Sequence, residues 1–244
     1  ARGAAVILTG GRLVTRWGPV RDKTALLRLP ENARAHVRQA NLRAMGIEEF
    51  GSAGGGGLEL FFNQEPMQLA RWPNHGFVRI AGVSSEKQHK IHGGAGSRVG
   101  KIYYRGHRLE RWVNEPDLWL HGYWFWDWSD QRQKVVRIDT SRHLIELSKP
   151  YHHYGYRAGQ WYYAYNALCE LDSPGEWYLN RDSGILYFWP PGPLSGAEVE
   201  VSVAPALMLI QDCSYLTIRG LTLQAARGTA ITAKNCRLLN IIGC

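Results

Sequence analysis

The sequence predicts an all-β protein with two strand architectures, an antiparallel aromatic-rich region followed by coils of a parallel solenoid. Three observations carry that prediction. The 244 residues include 27 glycines, 10 tryptophans and 12 tyrosines, a mix that favours short strands joined by glycine turns. Long helical periodicity is scarce. Near the C-terminus two segments, Leu209–Gly220 and Thr232–Gly243, align without gaps. Asp212 matches Asn235, Cys213 matches Cys236, Leu216 matches Leu239, Ile218 matches Ile241 and Gly220 matches Gly243. A repeat of about 20–25 residues built from short strands and tight turns suits one coil of a parallel β-helix.

The chain opens on Ala4–Thr9, an apolar run with the character of a buried strand and no charged-then-apolar leader before it. A fold that begins upstream of Ala1 is the expectation. Asp22 is placed to cap a short helix that Pro30 ends, and a second helical turn follows at Glu31–Arg34. The segment His36–Leu42 reads as extended. Gly51–Gly57 fits neither the phosphate-loop nor the dinucleotide spacing and reads as a flexible loop. Strands are predicted at Leu58–Phe62, Met67–Trp72 and Phe77–Ile80, separated by turns at Asn63-Gln64 and Pro73–Gly76. Ser84–Gly100 is polar and glycine-rich and is expected to be an exposed, mobile loop. Its His89 and His92 lack a third ligand nearby, so no metal site is predicted.

The densest aromatic run is Leu118–Trp128. Strict alternation would place Trp124, Trp126 and Trp128 on one face of a strand, with Tyr123, Phe125 and Asp127 on the other. Two packed core faces would satisfy this pattern. A ligand platform would satisfy it too: aromatic faces suit the C–H faces of sugar rings, and His121 and Asp127 can bond hydroxyls. On the second reading the substrate-binding candidates are His121, Tyr123, Trp124, Trp126 and Asp127. Further strands are predicted at Val135–Ile138, Leu144–Leu147 and Trp161–Tyr165.

Glu176–Asn180 and Ile185–Trp189 make a hairpin around Arg181–Gly184, where Gly184 can take positive φ and Asp182 can bond its own backbone. Pro190, Pro191 and Pro193 then stop the strand and stiffen the exit. This hairpin separates the antiparallel region from the repeat, and its tryptophans are expected to brace one against the other. Cys213 and Cys236 would stack one coil apart, and their parallel alignment favours free thiols over a disulfide.

Several classes are excluded or disfavoured. No stretch of about 18 apolar residues occurs, so no membrane span is predicted. The net charge of +8 comes from dispersed arginines without a basic run, a pattern that argues against nucleic acid. A solvated basic surface accounts for this charge, and among ligands an acidic polysaccharide suits arginines scattered among aromatics. No Cys-x-x-Cys pair and no Gly-x-Ser-x-Gly element is present. Cys169, beside Leu168, reads as packed rather than reactive. No cofactor is expected, and the chain is expected to be a monomer.

Leu69–Asn74, His121–Trp124, Glu170–Leu179 and Ile218–Leu223 resemble the N-terminal part of bacterial right-handed parallel β-helix proteins of the pectate-lyase-like superfamily. Within it they are similar to glycoside hydrolases of the α-fucosidase/xylanase and β-xylosidase types, whose early coils are interrupted by a β-sandwich-like domain. The resemblance implies early β-helix strands at residues 1–17, an inserted β-rich domain at 18–193, and resumed coils at 194–244. It also implies a secreted or periplasmic bacterial enzyme that degrades plant or algal polysaccharide. It locates no catalytic pair here, because the acidic residues of such enzymes lie mainly on later coils. A non-catalytic carbohydrate-binding module and a polysaccharide lyase are the alternatives.

Overall fold

A computed structural model describes residues 6–244; Ala4 and Ala5 of the first predicted strand lie outside the described residues. The protein is all-β, with 41% strand, 8% helix and no closed barrel. Its largest sheet is antiparallel, in the order Gly82–Val83, Lys101–Tyr103, Leu144–Leu147, Asp130–Asp139, Trp119–Tyr123, Trp161–Tyr165, Arg71–Trp72, with Val78–Arg79 also pairing onto Trp161–Tyr165. Period-two alternation gives this sheet two different faces. Leu120, Tyr162, Ala164, Ile102 and Ile145 point into a core completed by Trp112, Trp124 and Tyr156. The residues between them point the other way, and they make the site described below.

The predicted hairpin forms at Glu176–Asn180 and Ile185–Phe188 and lies inside a five-stranded sheet. Both of its faces are covered. Trp177, Leu179, Leu186 and Phe188 pack against Leu60, Val199 and Val201, while Tyr178 and Tyr187 pack against Leu29, Ala33 and Val37. Apolar residues at successive positions are thus explained by burial on both sides. Gly184 takes φ +73° as expected, but the turn is tied by Asn180 rather than Asp182. The Asn180 carboxamide oxygen accepts from the Asp182 and Ser183 amides at 3.1 Å each. Trp177 is buried in the core, and Trp189 stacks on His36 at 4.7 Å.

Two buried carboxylates lock the helical segments to one another. Lys23–Arg28 is the one α-helix among the described residues, capped by Asp22, whose side chain accepts from Thr24 N. From its last turn Arg28 reaches Glu115 at 2.7 Å, and Glu115 also accepts from Leu168 N at 2.9 Å and Cys169 N at 3.1 Å. Glu170 accepts from Arg108 and from Trp112 Nε1. Both carboxylates are shielded from water and fully partnered, which is the condition for tolerating a buried charge. Cys169 is buried beside them, and burial pushes its thiol well above the usual range, so it is inert.

Ser84–Gly100 departs from its expected loop. Gln88–Ile91 and Gly94–Ser97 form a hairpin, anchored where Ser97 exchanges backbone hydrogen bonds with Tyr156 and His89 Nε2 meets Tyr154 O at 2.8 Å. Gly96 and Gly100 reflect close approach, since a Cβ would lie 2.3 Å from Tyr156 O on the first and 2.8 Å from the Tyr151 ring on the second, whereas Gly93 serves the turn at φ +82°.

The aligned C-terminal segments pair side by side. Met208–Gln211 runs parallel to Ile231–Lys234 and Thr217–Arg219 parallel to Asn240–Ile242. Cys213 and Cys236, 23 residues apart, bring their sulfurs to 3.5 Å as free thiols, and Asn235 Nδ2 donates to Asp212 Oδ1 at the same offset. Corners repeat as well: Asp212 and Asn235, Tyr215 and Leu238, and Gly220 and Gly243 all take positive φ. Val6–Thr9 runs parallel to Leu221–Gln224, so the first described strand lies against this repeat. Between them, Gly11–Leu13, Val199–Ser202, Leu60–Phe62 and Glu65–Pro66 form a four-stranded antiparallel sheet.

Candidate functional site

The outward face of the large sheet is built in rows, because directly opposed residues of antiparallel strands share a face. One row is Tyr163, His121 and Arg132; a second is Arg79, Trp161, Tyr123 and Asp130; a third is Arg71, Tyr165, Trp119 and Lys134. Phe77 joins the aromatic rows, with its ring 5.8 Å from Tyr123, 6.1 Å from Trp161 and 5.6 Å from Tyr163. The Arg71 guanidinium lies 3.6 Å from the centre of the Tyr163 ring, a cation–π contact that also fixes the phenol.

A hydrogen-bond chain crosses the middle of the face. Asp130 Oδ2 is 2.7 Å from His121 Nε2, and His121 Nδ1 is 2.9 Å from the Tyr163 hydroxyl. A carboxylate only accepts, so in the neutral imidazole Nε2–H donates to Asp130 and Nδ1 accepts from Tyr163. Burial pushes the Tyr163 phenol above its ordinary range, and the neighbouring Arg71 pulls it partly back. The hydroxyl therefore stays protonated at neutral pH and acts as a donor.

One end of the face is roofed by the Gly51–Gly57 loop, leaving a cavity of about 300 Å³. Tyr165 donates to Ala53 O at 3.0 Å, and Arg181 Nε to Gly51 O at 3.2 Å. The absence of a side chain at Gly54 lets the loop sit on Trp119, since a Cβ there would lie 2.3 Å from the indole ring. Gly54→Ala is expected to lift the loop and cost about 1–3 kcal/mol, the range for forcing a methyl into packed structure. Urea unfolding checks it; an unchanged midpoint would contradict the packing described.

Arg71, Arg132, Arg181 and Arg227 line this cavity, and Glu59 is its one carboxylate. Arg181 is held by Asn166 Oδ1 at 3.0 Å and faces Asp117 at 3.5 Å. Its burial works against the charged form, yet a guanidinium stays protonated. Among the described residues no cluster of three or more His, Cys, Asp or Glu side chains could hold a metal ion, and no helix is long and apolar enough to cross a membrane. With one carboxylate, the cavity lining does not form the acid/base pair that glycoside hydrolysis uses.

The structure divides the five sequence-predicted residues. His121 and Tyr123 stand on the face. Trp124 does not: it follows Tyr123 and so faces the opposite side with Leu120, where the indole is 0% exposed in the core with Nε1 on Gln131 O at 2.8 Å. The alternation drawn through Trp128 holds as far as Trp124 and breaks at Phe125, which is buried although it should share the face of Tyr123. Trp126 is half-buried against Phe125 under Arg157, and exposed Asp127 accepts from Gln160 Nε2 at 3.1 Å. Both lie beyond the end of the strand at Tyr123, outside the rows of the face. Sequence reasoning missed Phe77, Arg71, Arg132, Trp161, Tyr163 and Arg181. Alternation in Trp161–Tyr165 was a readable signal for two of them; the cross-strand partners were not.

No protein-family model matches the sequence, and no curated protein matches it. A solved structure described as a glycoside hydrolase is similar at a TM-score of 0.68 and 16% identity, covering 92% of this chain and 37% of that one. The chain therefore has a glycoside-hydrolase-like fold and spans little more than a third of the length of the protein it resembles. At this identity the likeness shows the fold alone.

Proposed function

We propose that the chain is part of an exported bacterial carbohydrate-active protein, a glycoside hydrolase with a right-handed parallel β-helix acting on plant or algal polysaccharide. Residues 18–193 form the inserted domain and shape one end of the substrate groove, between the early strand in residues 1–17 and the coils of 194–244. The observation that carries this reading is the fold likeness to a glycoside hydrolase over 92% of the chain. Support for interrupted coils comes from Val6–Thr9, which pairs in parallel with Leu221–Gln224 across the whole intervening segment. The aromatic face supplies flat apolar surfaces and hydroxyl-bonding groups, the two things a sugar ring needs. Fold does not fix chemistry, so the bond broken is a matter for assay. The full-length protein, incubated with a panel of xylan, fucosylated and pectic substrates, is expected to release reducing sugar. Release of unsaturated uronide instead would make it a lyase, and no product from any substrate would sink the enzyme reading. One observation favours a second reading, a carbohydrate-binding module without catalysis: the cavity lining has only Glu59 as a carboxylate.

A further inference from the structure

We propose that the arginine-lined cavity at the Gly51–Gly57 end of the sheet face is a subsite for the anionic group of an acidic sugar, a carboxylate or a sulfate ester. The proposal rests on the carbohydrate reading above and sharpens it to a charge class. Four arginines against one carboxylate is the first argument. The second is which donors are spoken for. Arg71 commits Nε to Pro73 O at 2.8 Å and Nη2 to Gly76 O at 2.5 Å, and Arg227 commits Nη1 to Glu49 O at 2.9 Å. Arg132, exposed and directly opposite His121, makes neither an ion pair nor a side-chain hydrogen bond among the described residues. Arg181 Nη2 is buried without a partner and lies 3.4 Å from where a Gly57 side chain would begin. A buried unpaired donor is costly, and here it borders the glycine-walled space.

The third argument is donor balance. Neutral sugar hydroxyls both donate and accept, whereas guanidinium groups only donate. A wall whose charged groups are guanidinium but for Glu59 matches an acceptor-only group, and charge-assisted bonds of that kind are the strong ones. The volume, about 300 Å³, is at the lower end of small-molecule sites and suits a single sugar unit. Tyr163, which lines the cavity and belongs to the aromatic rows, would let one ring stack while its anionic substituent reaches the arginines.

Calorimetric titration of the full chain with oligogalacturonate, a sulfated galactan oligosaccharide and a neutral xylo-oligosaccharide tests this. At least one anionic glycan is expected to bind about tenfold or more tightly than the neutral one, more weakly as salt rises. Which anionic glycan wins distinguishes carboxylate from sulfate. Arg132→Ala, at an exposed position without partners, is expected to fold normally and remove most of the preference, a loss of about 10- to 100-fold. Equal binding of anionic and neutral glycans, or an anionic preference untouched in Arg132→Ala, overturns the proposal and leaves the carbohydrate reading standing. Binding of none of the three overturns the carbohydrate reading, and the subsite with it.

Discussion

Glu115→Ala is expected to lower the unfolding free energy by about 3–5 kcal/mol, the range for leaving one half of a buried ion pair without its partner. The Glu115 side chain is 1% exposed and serves donors from three residues at once. It accepts from Arg28 on the helix and from the backbone amides of Leu168 and Cys169 ahead of the hairpin. Removal leaves the part-buried Arg28 guanidinium without its carboxylate and orphans two buried amide donors. A domain is typically stable by about 5–15 kcal/mol, so the loss would take a large share of the total. The double variant Glu115→Leu with Arg28→Met should recover only part, because it restores apolar packing and removes the stranded charge but not the two orphaned amides. Urea unfolding of the three proteins checks this. A single-variant loss under about 1 kcal/mol would mean that the pair is solvated and does not join the helix to the Leu168–Glu170 turn.

Trp124→Ala is expected to cost about 3–5 kcal/mol, the usual price of emptying a buried tryptophan site. Its ring packs 5.5 Å from Tyr156 and 6.4 Å from Tyr162, and its indole N–H is spent on Gln131 O. A Cβ on Gly122 would come within 2.8 Å of the same ring, which is why the strand carries glycine there. The variant should therefore melt early, with a glycan affinity unchanged wherever it remains folded. Loss of binding at unaltered melting temperature would return Trp124 to the substrate-contacting set.

That contrast between two neighbouring residues shows how far the sequence could be read. Alternation through Trp119–Tyr123 placed His121 and Tyr123 together on one face, because a strand's period is two wherever the strand persists. The same period turns Trp124 away from Tyr123 and into the core with Leu120. It fails one residue later at Phe125, which should share the face of Tyr123 but is buried by contacts with His89 and Arg157. No local propensity announces such contacts. The 23-residue repeat was legible because each match is a register position, and Asp212 with Asn235, or Cys213 with Cys236, are now neighbours. Asp22 as a cap and Gly184 at positive φ were equally local. The Gly93–Gly100 region misled for a physical reason: glycine marks close backbone approach as readily as mobility, and Gly96 packs against Tyr156. The arginines of the cavity were invisible for a different reason. Arg71, Arg132, Arg181 and Arg227 are spread over more than 150 residues, and only the strand pairings and the roofing loop collect them.

On the proposed function, the face carrying His121, Tyr123, Trp161 and Tyr163 is where a glycan binds. Saturation-transfer NMR on the chain with a bound oligosaccharide, compared with Tyr123→Ala and Trp161→Ala, tests it most directly. The expected result is transfer to the sugar ring protons that is lost in both variants while the melting temperature stays close to that of the parent. Undiminished transfer in both variants would contradict the claim and place the ligand elsewhere on the protein.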